Sequence, residues 1–399
     1  MGIVVQKYGG SSVATIEKIK KVAETVGKRK ESGDSVVVVV SAMGDTTDDL
    51  IELANQITEY PDKRELDALL STGEMISASL LAMALKSMGY DAISYTAYQI
   101  GMRTTGQHGK SLIEDIDGEK LRKSLTEGKI VVVAGFQGVN DEGDITTLGR
   151  GGSDTSAVAI AVKLDAQCEI YTDVDGIYSV DPRLYKNAKK LSEIDYEEML
   201  ELSSLGAQVM HSRSIELAQK YNIPVYVGLS TSNIKGTLIR EVTNMNMESK
   251  PITGLATSDD DVAITVKNIP YNINSISNLF GKISSKRINI DMISQTAPID
   301  GIVNISFTIP KGDLNECMSI LSEITDKDNL SIDEDITKFS IVGIGMKTTS
   351  GVAGRMFKLF AENNIEVKLI TTSEIRITCA IKTQDKLRAV KIIAEEFGL

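Results

Sequence analysis

Tryptophan is absent from this sequence and histidine nearly so: of 399 residues, only His108 and His211 carry an imidazole. Two histidines exclude a multi-histidine metal site. The three cysteines, Cys168, Cys317 and Cys379, stand far apart without paired spacing. That argues against a disulfide framework or a zinc site and fits a reducing cytoplasm. No apolar run approaches the roughly twenty residues of a membrane span. The first residues lack the charged-then-apolar pattern of a signal peptide, since the run at 3–5 is short. Positive charge is in deficit, with 43 Lys and Arg against 55 Asp and Glu and a net charge of -12. A nucleic-acid backbone is therefore not an expected partner. Three kinase and nucleotide signatures are also missing: the P-loop G-x-x-x-x-G-K-[ST], the H-R-D and D-F-G set, and a G-x-G-x-x-G opening a Rossmann unit.

What is present is ordinary in bulk, 42% hydrophobic and 25% charged, and long enough for two or three domains with their own cores. The stretch Thr146-Thr147-Leu148-Gly149-Arg150-Gly151-Gly152-Ser153-Asp154-Thr155 stands out. It follows a buried-strand signal at 130–134 and opens a small-residue helix over 153–163. Adjacent glycines admit a ligand close to the backbone, and the helix start offers free N–H groups and a positive dipole end. Arg150 adds a planar fork for a carboxylate or phosphate, and Asp154 a carboxylate in the same turn. Taken alone, the stretch also reads as a Gly-rich turn with a capped helix.

Around it, strands alternate with helices. Strands are expected from 3 to the Gly-rich turn at 9–12, and at 36–40, 90–95, 130–134, 169–172 and 225–227. Helices are expected at 16–30, 47–57, 65–70, 73–88 and 118–127, with others near Glu197 and Ile215. The polar region 99–117 carries no period. This pattern predicts a three-layer, mostly parallel α/β domain over 1–240, with ligands at the carboxyl ends of the strands. The turns at Gly9, Ser41, Arg150 and Asp173 share that edge, which predicts one site there. Residues 241–250 read as a linker. Beyond it, a β-α-β-β-α pattern occurs twice, the start of ferredoxin-like units. The first, 262–336, takes its last strand from 330–336. The second has no strand after its final helix, so the orphan strand at 252–256 is expected to complete it. The first unit would thus be inserted in a second made of 251–261 and 337–399.

Two Gly turns, each with a nearby cation, suit a nucleotide triphosphate. Phosphoryl transfer needs clamped phosphates and cations where charge develops. Lys7, at the end of the first strand and just ahead of Gly9-Gly10, is such a cation. The loop Thr172-Asp173-Val174-Asp175-Gly176-Ile177-Tyr178-Ser179-Val180-Asp181-Pro182-Arg183 offers acceptors for a ribose, an aromatic face and a guanidinium. By itself it reads equally as an acidic turn or a calcium loop, although it lacks EF-hand spacing.

Together Lys7-Tyr-Gly-Gly-Ser-Ser-Val, Val40-Ser-Ala-Met-Gly, Ser71-Thr-Gly-Glu74, Gly135-Phe-Gln-Gly, Gly149-Arg-Gly-Gly-Ser-Asp-Thr and the 172–183 loop resemble the aspartate kinase family. The resemblance covers nearly the whole chain, including a C-terminal pair of ACT domains. It implies the amino acid kinase fold plus two ferredoxin-like βαββαβ ACT domains. It implies ATP as co-substrate, Mg2+ on the phosphates, and L-aspartate converted to 4-phospho-L-aspartate, the first step toward lysine, threonine and methionine. In that reading Lys7 stabilises the transferring phosphoryl group and Asp154 organises that lysine and the magnesium. Gly9, Gly10, Ser11 and Gly152 line the phosphates. Arg150 holds an aspartate carboxylate with help from Ser41, Thr47 and Ser153, and Glu74 meets the ammonium. Thr172, Asp173, Tyr178, Asp181 and Arg183 bind the nucleotide. A carboxylate acceptor is already ionised at pH 7, so no general base is needed. His211 is expected to be structural.

The sequence departs from the family pattern in two places. Gln208 stands where many members carry lysine. The first ACT loop, usually Pro-Asp-x-Pro-Gly, is Pro270-Tyr271-Asn272-Ile273-Asn274, which lacks the carboxylate and the close-approach glycine. An altered or lost effector site is expected there. The retained one would pair Met346, Ser350, Gly351 and Val352 with Asn289, Asp291 and Gln295, binding lysine, threonine or both. The ACT pair implies a homodimer or higher oligomer, and the length leaves no room for a fused homoserine dehydrogenase. Two rivals stand beside this reading: a kinase for another acidic amino acid such as glutamate, and a catalytically inactive amino-acid sensor.

Overall fold

A computed structural model describes residues 2–206, 209–242 and 250–399. Gln208 and most of the expected linker lie outside the described residues. The chain forms two compact units.

The first unit holds the residues up to Ile177, Lys190–Ser203 and the described part of 208–245. Its eight-stranded sheet runs Glu193–Ile194, Thr237–Ile239, Val225–Leu229, Gln167–Thr172, Ile3–Tyr8, Ser35–Val40, Ile130–Ala134, Ala92–Tyr95. Every pairing is parallel except that of Val225–Leu229 with Thr237–Ile239. Val36 to Val40 are all fully buried, as β-branched residues are in a strand covered on both faces. Lys7 sits mid-sheet, in register with Val39 on one side and Ile170 on the other. On the opposite face its neighbour Gln6 donates to Glu169 at 2.8 Å. Glu169 also accepts from Tyr171 at 3.0 Å and pairs with Arg29 at 3.1 Å. That buried network fixes the strand which carries Lys7.

Two sequence expectations are corrected in this unit. The helices read at 65–70 and 73–88 are one 25-residue helix, Lys63–Ser87. The hydroxyls of Ser71 and Thr72 donate back to Ala68 and Leu69 carbonyls, so they do not break it. Gly73 marks a close approach: a Cβ there would lie 2.8 Å from Ala42 Cβ. The region 99–117 contains a hairpin, Met102–Thr105 and Leu112–Ile116. With Gln137–Val139 and Ile145–Thr147 it forms a small second sheet.

The second unit holds Tyr178–Lys189, the described part of 204–207 and all from Lys250 on. One sheet runs Gly254–Ser258, Thr337–Val342, Arg376–Ile381, Val367–Thr372. The other runs Asp291–Gln295, Ile302–Pro310, Asp261–Pro270, Leu330–Asp333. All their pairings are antiparallel. Val180 packs in the core of the first sheet with Phe339, Val352 and Phe360. Between the two sheets lies a small apolar cluster, Ala263, Met292, Ile336 and Ala380. Beside it the Lys338 ammonium, 8% exposed, meets Asp261 at 3.0 Å and Asp291 at 3.1 Å. Met292 adopts φ +49 at a β-bulge of its strand, and its N–H donates to Asp291 Oδ1 at 2.8 Å.

Candidate active site

The carboxyl ends of Ile3–Tyr8, Ser35–Val40, Ile130–Ala134 and Gln167–Thr172 share one edge of the large sheet. Where a single site was expected, two cavities lie there. Gly10 lines one and its chain neighbours Ser11 and Ser12 line the other.

The first cavity, about 280 Å³, is lined by Lys7, Gly10, Ser41, Thr47, Glu74, Arg150, Gly152, Ser153 and Asp154, with Ala42, Gly44, Phe136, Gly149 and Gly151. The Lys7 ammonium approaches Asp154 Oδ1 at 2.6 Å, both side chains 11% exposed. Asp154 stands in the first turn of the helix Gly152–Leu164, whose small, apolar residues allow it to be buried almost all round. The turn before this helix needs glycine. Gly151 has φ +70, and a Cβ there would fall 2.2 Å from His211 Cβ. His211 itself caps the helix Ser212–Lys220, accepting from the Arg213 N–H at 3.4 Å, in line with the structural role expected for it.

Glu74 is 3% exposed. Oε1 accepts the Ala42 N–H at 3.1 Å, and Oε2 is buried without a hydrogen-bond partner. Burial pushes its carboxyl up to about 7. A buried acceptor aimed into a cavity is suited to a ligand donor. Arg150 is exposed, and its guanidinium has no hydrogen-bond or ion-pair partner among the described residues. The cavity thus offers a paired cation, a free cation and a waiting carboxylate. That arrangement can hold a zwitterion against a phosphoryl group.

The second cavity, about 270 Å³, brings Ser11, Thr172 and Asp173 together with Ser12, Lys18, Lys21, Leu229, Ser230 and Thr231. Gly9 lines neither cavity, its N–H bound to the Tyr171 carbonyl at 3.2 Å, although a Cβ there would lie 3.5 Å from Lys7 Nζ. Tyr178, Asp181 and Arg183 belong to the second unit, where Arg183 folds back onto Asp181 at 2.7 Å. Of the effector candidates, Gly351 has φ +86 and precedes the helix Val352–Glu362, in which Val352 is buried. Met346 packs against that unit's core, and Ser350 is exposed. Asn289 and Gln295 are exposed, whereas the Asp291 carboxylate is engaged by Lys338. No hydrogen bond or ion pair among the described residues joins the Met346–Val352 loop to these three. At the loop 270–274, Asn272 caps the helix Ile273–Ser285, while Tyr271 and Ile273 are exposed.

Sequence reading missed Phe136, Ser230, Thr231, Lys18 and Lys21. Phe136 holds φ +69 and packs over Gly152, where a Cβ would meet its ring at 2.7 Å. No residue pattern marks such a conformation. Lys18 and Lys21 stand one helical turn apart in the sequence, with no glycine turn beside them to mark a site. Among the described residues no cluster of three His, Cys, Asp or Glu could hold a metal ion.

The chain matches the amino acid kinase family over residues 2–228 and an ACT domain over residues 339–397. It is 46% identical over 403 residues to an aspartokinase of Bacillus sp. (strain MGA3), covering 100% of this chain and 98% of that protein. A crystal structure of aspartate kinase from Synechocystis shares 40% identity with a TM-score of 0.56, over 100% of this chain and 69% of that one. E. coli aspartokinase III, crystallised with aspartate and ADP, has a TM-score of 0.83 at 24% identity, over 98% of this chain and 99% of its own. That last likeness is one of fold.

Proposed function

We propose a division of labour for a chain that belongs to the amino acid kinase family, where it stands among the aspartokinases. The reaction moves the γ-phosphoryl group of ATP onto the side-chain carboxylate of L-aspartate, giving 4-phospho-L-aspartate and ADP. It opens the route to lysine, threonine and methionine. The observation that carries this reading is the first cavity, where the Lys7–Asp154 pair, the free Arg150 and the buried Glu74 face one another.

Arg150, with Ser41, Thr47 and Ser153, holds an aspartate carboxylate, and Glu74 takes the ammonium. The attacking carboxylate is ionised at neutral pH and needs no base. Lys7 lies where negative charge gathers on the transferring phosphoryl group, as a preorganised cation that need not reorient. Gly9, Gly10 and Gly152 leave room for phosphates beside it. The nucleotide extends into the second cavity along Ser11, Thr172 and Asp173. Asp154 would hold a magnesium ion brought with the nucleotide, and that ion would neutralise charge on the phosphates. A single buried carboxylate suits a hard cation that takes its other ligands from phosphate and water, and Asp154 is that carboxylate. We further propose boundaries at 1–240 for the catalytic domain, 262–336 for one ACT domain, and 251–261 with 337–399 for the other. Lysine is the proposed effector, bound by Met346, Ser350, Gly351, Val352, Asn289, Asp291 and Gln295 in a homodimer joined through these domains.

The deciding experiment traps acyl phosphate with hydroxylamine in the presence of ATP and either aspartate or glutamate. Hydroxamate with aspartate alone supports the reading. Hydroxamate with glutamate overturns the substrate, and none with either acid favours a sensor. Adding lysine to the aspartate reaction tests the effector.

Glu74 adds a pH signature. Its carboxyl keeps a proton up to about 7 in the folded chain, against a usual value near 4.5. Between those values the folded state binds a proton that the unfolded state has lost, so stability falls as pH rises. The contribution is whole below 4.5 and gone above about 7. Glu74→Gln is expected to remove that fall, about 3 kcal/mol over the whole window. Aspartate binding runs the other way. It tightens as pH passes 7, because ionised Glu74 attracts the ammonium, and Glu74→Gln loses that gain. Thermal unfolding and aspartate titration from pH 5 to 8 measure both.

A further inference from the structure

We infer that Asp67 is a positioning residue for Arg150, and so sets the affinity for the amino-acid substrate without touching it. This rests on the reading that Arg150 grips an aspartate carboxylate.

The backbone leading to Arg150 is held from two sides. Asp67, 1% exposed on the helix Lys63–Ser87, accepts four hydrogen bonds. Its Oδ2 takes the Thr147 N–H, the Gly109 N–H and His108 Nδ1, each at 2.9 Å. Its Oδ1 takes the Thr147 hydroxyl at 2.6 Å. From the other side Arg213 donates to the Leu148 carbonyl at 2.8 Å and to the Ser111 carbonyl at 2.7 Å. The Ser111 N–H closes the ring on the Thr147 carbonyl at 3.0 Å. Thr147, Leu148 and the 109–111 turn therefore form one braced unit directly ahead of Gly149 and Arg150.

The contrast lies in what is not braced. Arg150 has a long side chain with no hydrogen-bond or ion-pair partner among the described residues, on a backbone anchored by a buried carboxylate and a half-buried guanidinium. A receptor group gains most when its base is fixed and its tip is left for the ligand, because little ordering remains to be done on binding. Asp67 also shares its helix with Glu74, seven positions and two turns away, so both face inward. One helix thus supports both ends of the substrate: Glu74 directly, Arg150 through Asp67.

The test compares steady-state kinetics of Asp67→Asn, Thr147→Val and Arg150→Ala with the parent. An amide at 67 can still accept the N–H donors through one oxygen, but it loses the charge that strengthens all four bonds, and its NH2 must take the place of Oδ1 beside the Thr147 hydroxyl. Thr147→Val removes one hydroxyl bond at constant shape and guards against a folding defect in Asp67→Asn. The expected result is an aspartate KM raised about tenfold or more in Asp67→Asn, and less in Thr147→Val, with the ATP KM unchanged. Thr147→Ser, which keeps the hydroxyl, should restore the parent value. If Arg150→Ala raises the aspartate KM while both Asp67→Asn and Thr147→Val leave it alone, the positioning role is wrong and the Arg150 reading survives. An equal rise in both KM values points to general loosening and also overturns the inference. If Arg150→Ala itself leaves the aspartate KM unchanged, both fall together.

Discussion

Lys7→Ala should lower turnover by roughly a hundredfold or more, the usual loss when a preorganised charge is removed from a phosphoryl-transfer site. Its effect comes from placement. Lys7 is held mid-sheet between Val39 and Ile170, its ammonium already 2.6 Å from Asp154. No reorganisation is needed when charge develops. Losing it also leaves the Asp154 carboxylate beside the incoming phosphates without its ammonium partner. The same loss uncovers a nearly buried charge, which destabilises a fold by roughly 3–5 kcal/mol. Lys7→Ala with Asp154→Asn separates the two effects. The double variant should recover thermal stability while turnover stays low. Near-normal turnover in the single variant would remove Lys7 from its role.

The second large effect belongs to the other unit. Lys338→Ala leaves Asp261 and Asp291 facing each other beside the apolar cluster of Ala263, Met292, Ile336 and Ala380. Breaking a buried ion pair in this way costs about 3–5 kcal/mol. Burial works to raise the Asp291 carboxyl, and the Lys338 ammonium and the Met292 N–H outweigh it and hold the group below its usual value. Hydrogen exchange in the strand Thr337–Val342 reads this unit by itself, where two-state unfolding of the whole chain would blur it. Protection there should fall by about a hundredfold or more in Lys338→Ala. Replacing all three charges by Lys338→Met, Asp261→Leu and Asp291→Met should be far milder, because apolar groups need no partner. Unchanged protection in Lys338→Ala would mean that the ammonium contributes nothing to the seam.

Much of the fold was legible because its signals are local. The run Val36 to Val40 can be little else than a buried strand, and the alternation of strands and helices indicates a parallel sheet. The cavity residues were legible wherever glycine turns flagged them. What escaped was long-range. Ser71-Thr72-Gly73 looked like a break, so the two halves of Lys63–Ser87 were read apart. That split hid the spacing of Asp67 and Glu74, the clearest sign that both lie on one inward face. The hydroxyls that seemed to interrupt the helix bond within it, and the glycine serves a neighbour, Ala42. The hairpin at 102–116 escaped for a similar reason. Its strand Leu112–Ile116 is largely exposed and carries no alternating pattern. Arg183 and Tyr178 followed the second unit because Val180, Leu184 and Tyr185 pack there, a preference written in the partners and not in the loop.

The strand Gly254–Ser258 pairs with Thr337–Val342, and the whole sheet containing Asp261–Pro270 and Leu330–Asp333 is spelled out between them. A ribosome adding roughly 5–20 residues per second leaves the early strand without its partner for several seconds. The intervening sheet can fold during that wait. Once it does, Ala263 lies opposite Asp333, so its entry and exit are side by side. The later pairing then closes a short loop in place of a long one, which removes most of the chain entropy that opposes it. Birth order thus imposes an order of assembly: inner sheet first, outer sheet last. Chains stalled on the ribosome soon after Asp333 should protect amides in Asp261–Pro270 and leave those of Gly254–Ser258 open. Protection of both at that length would show that the outer strand finds another partner first.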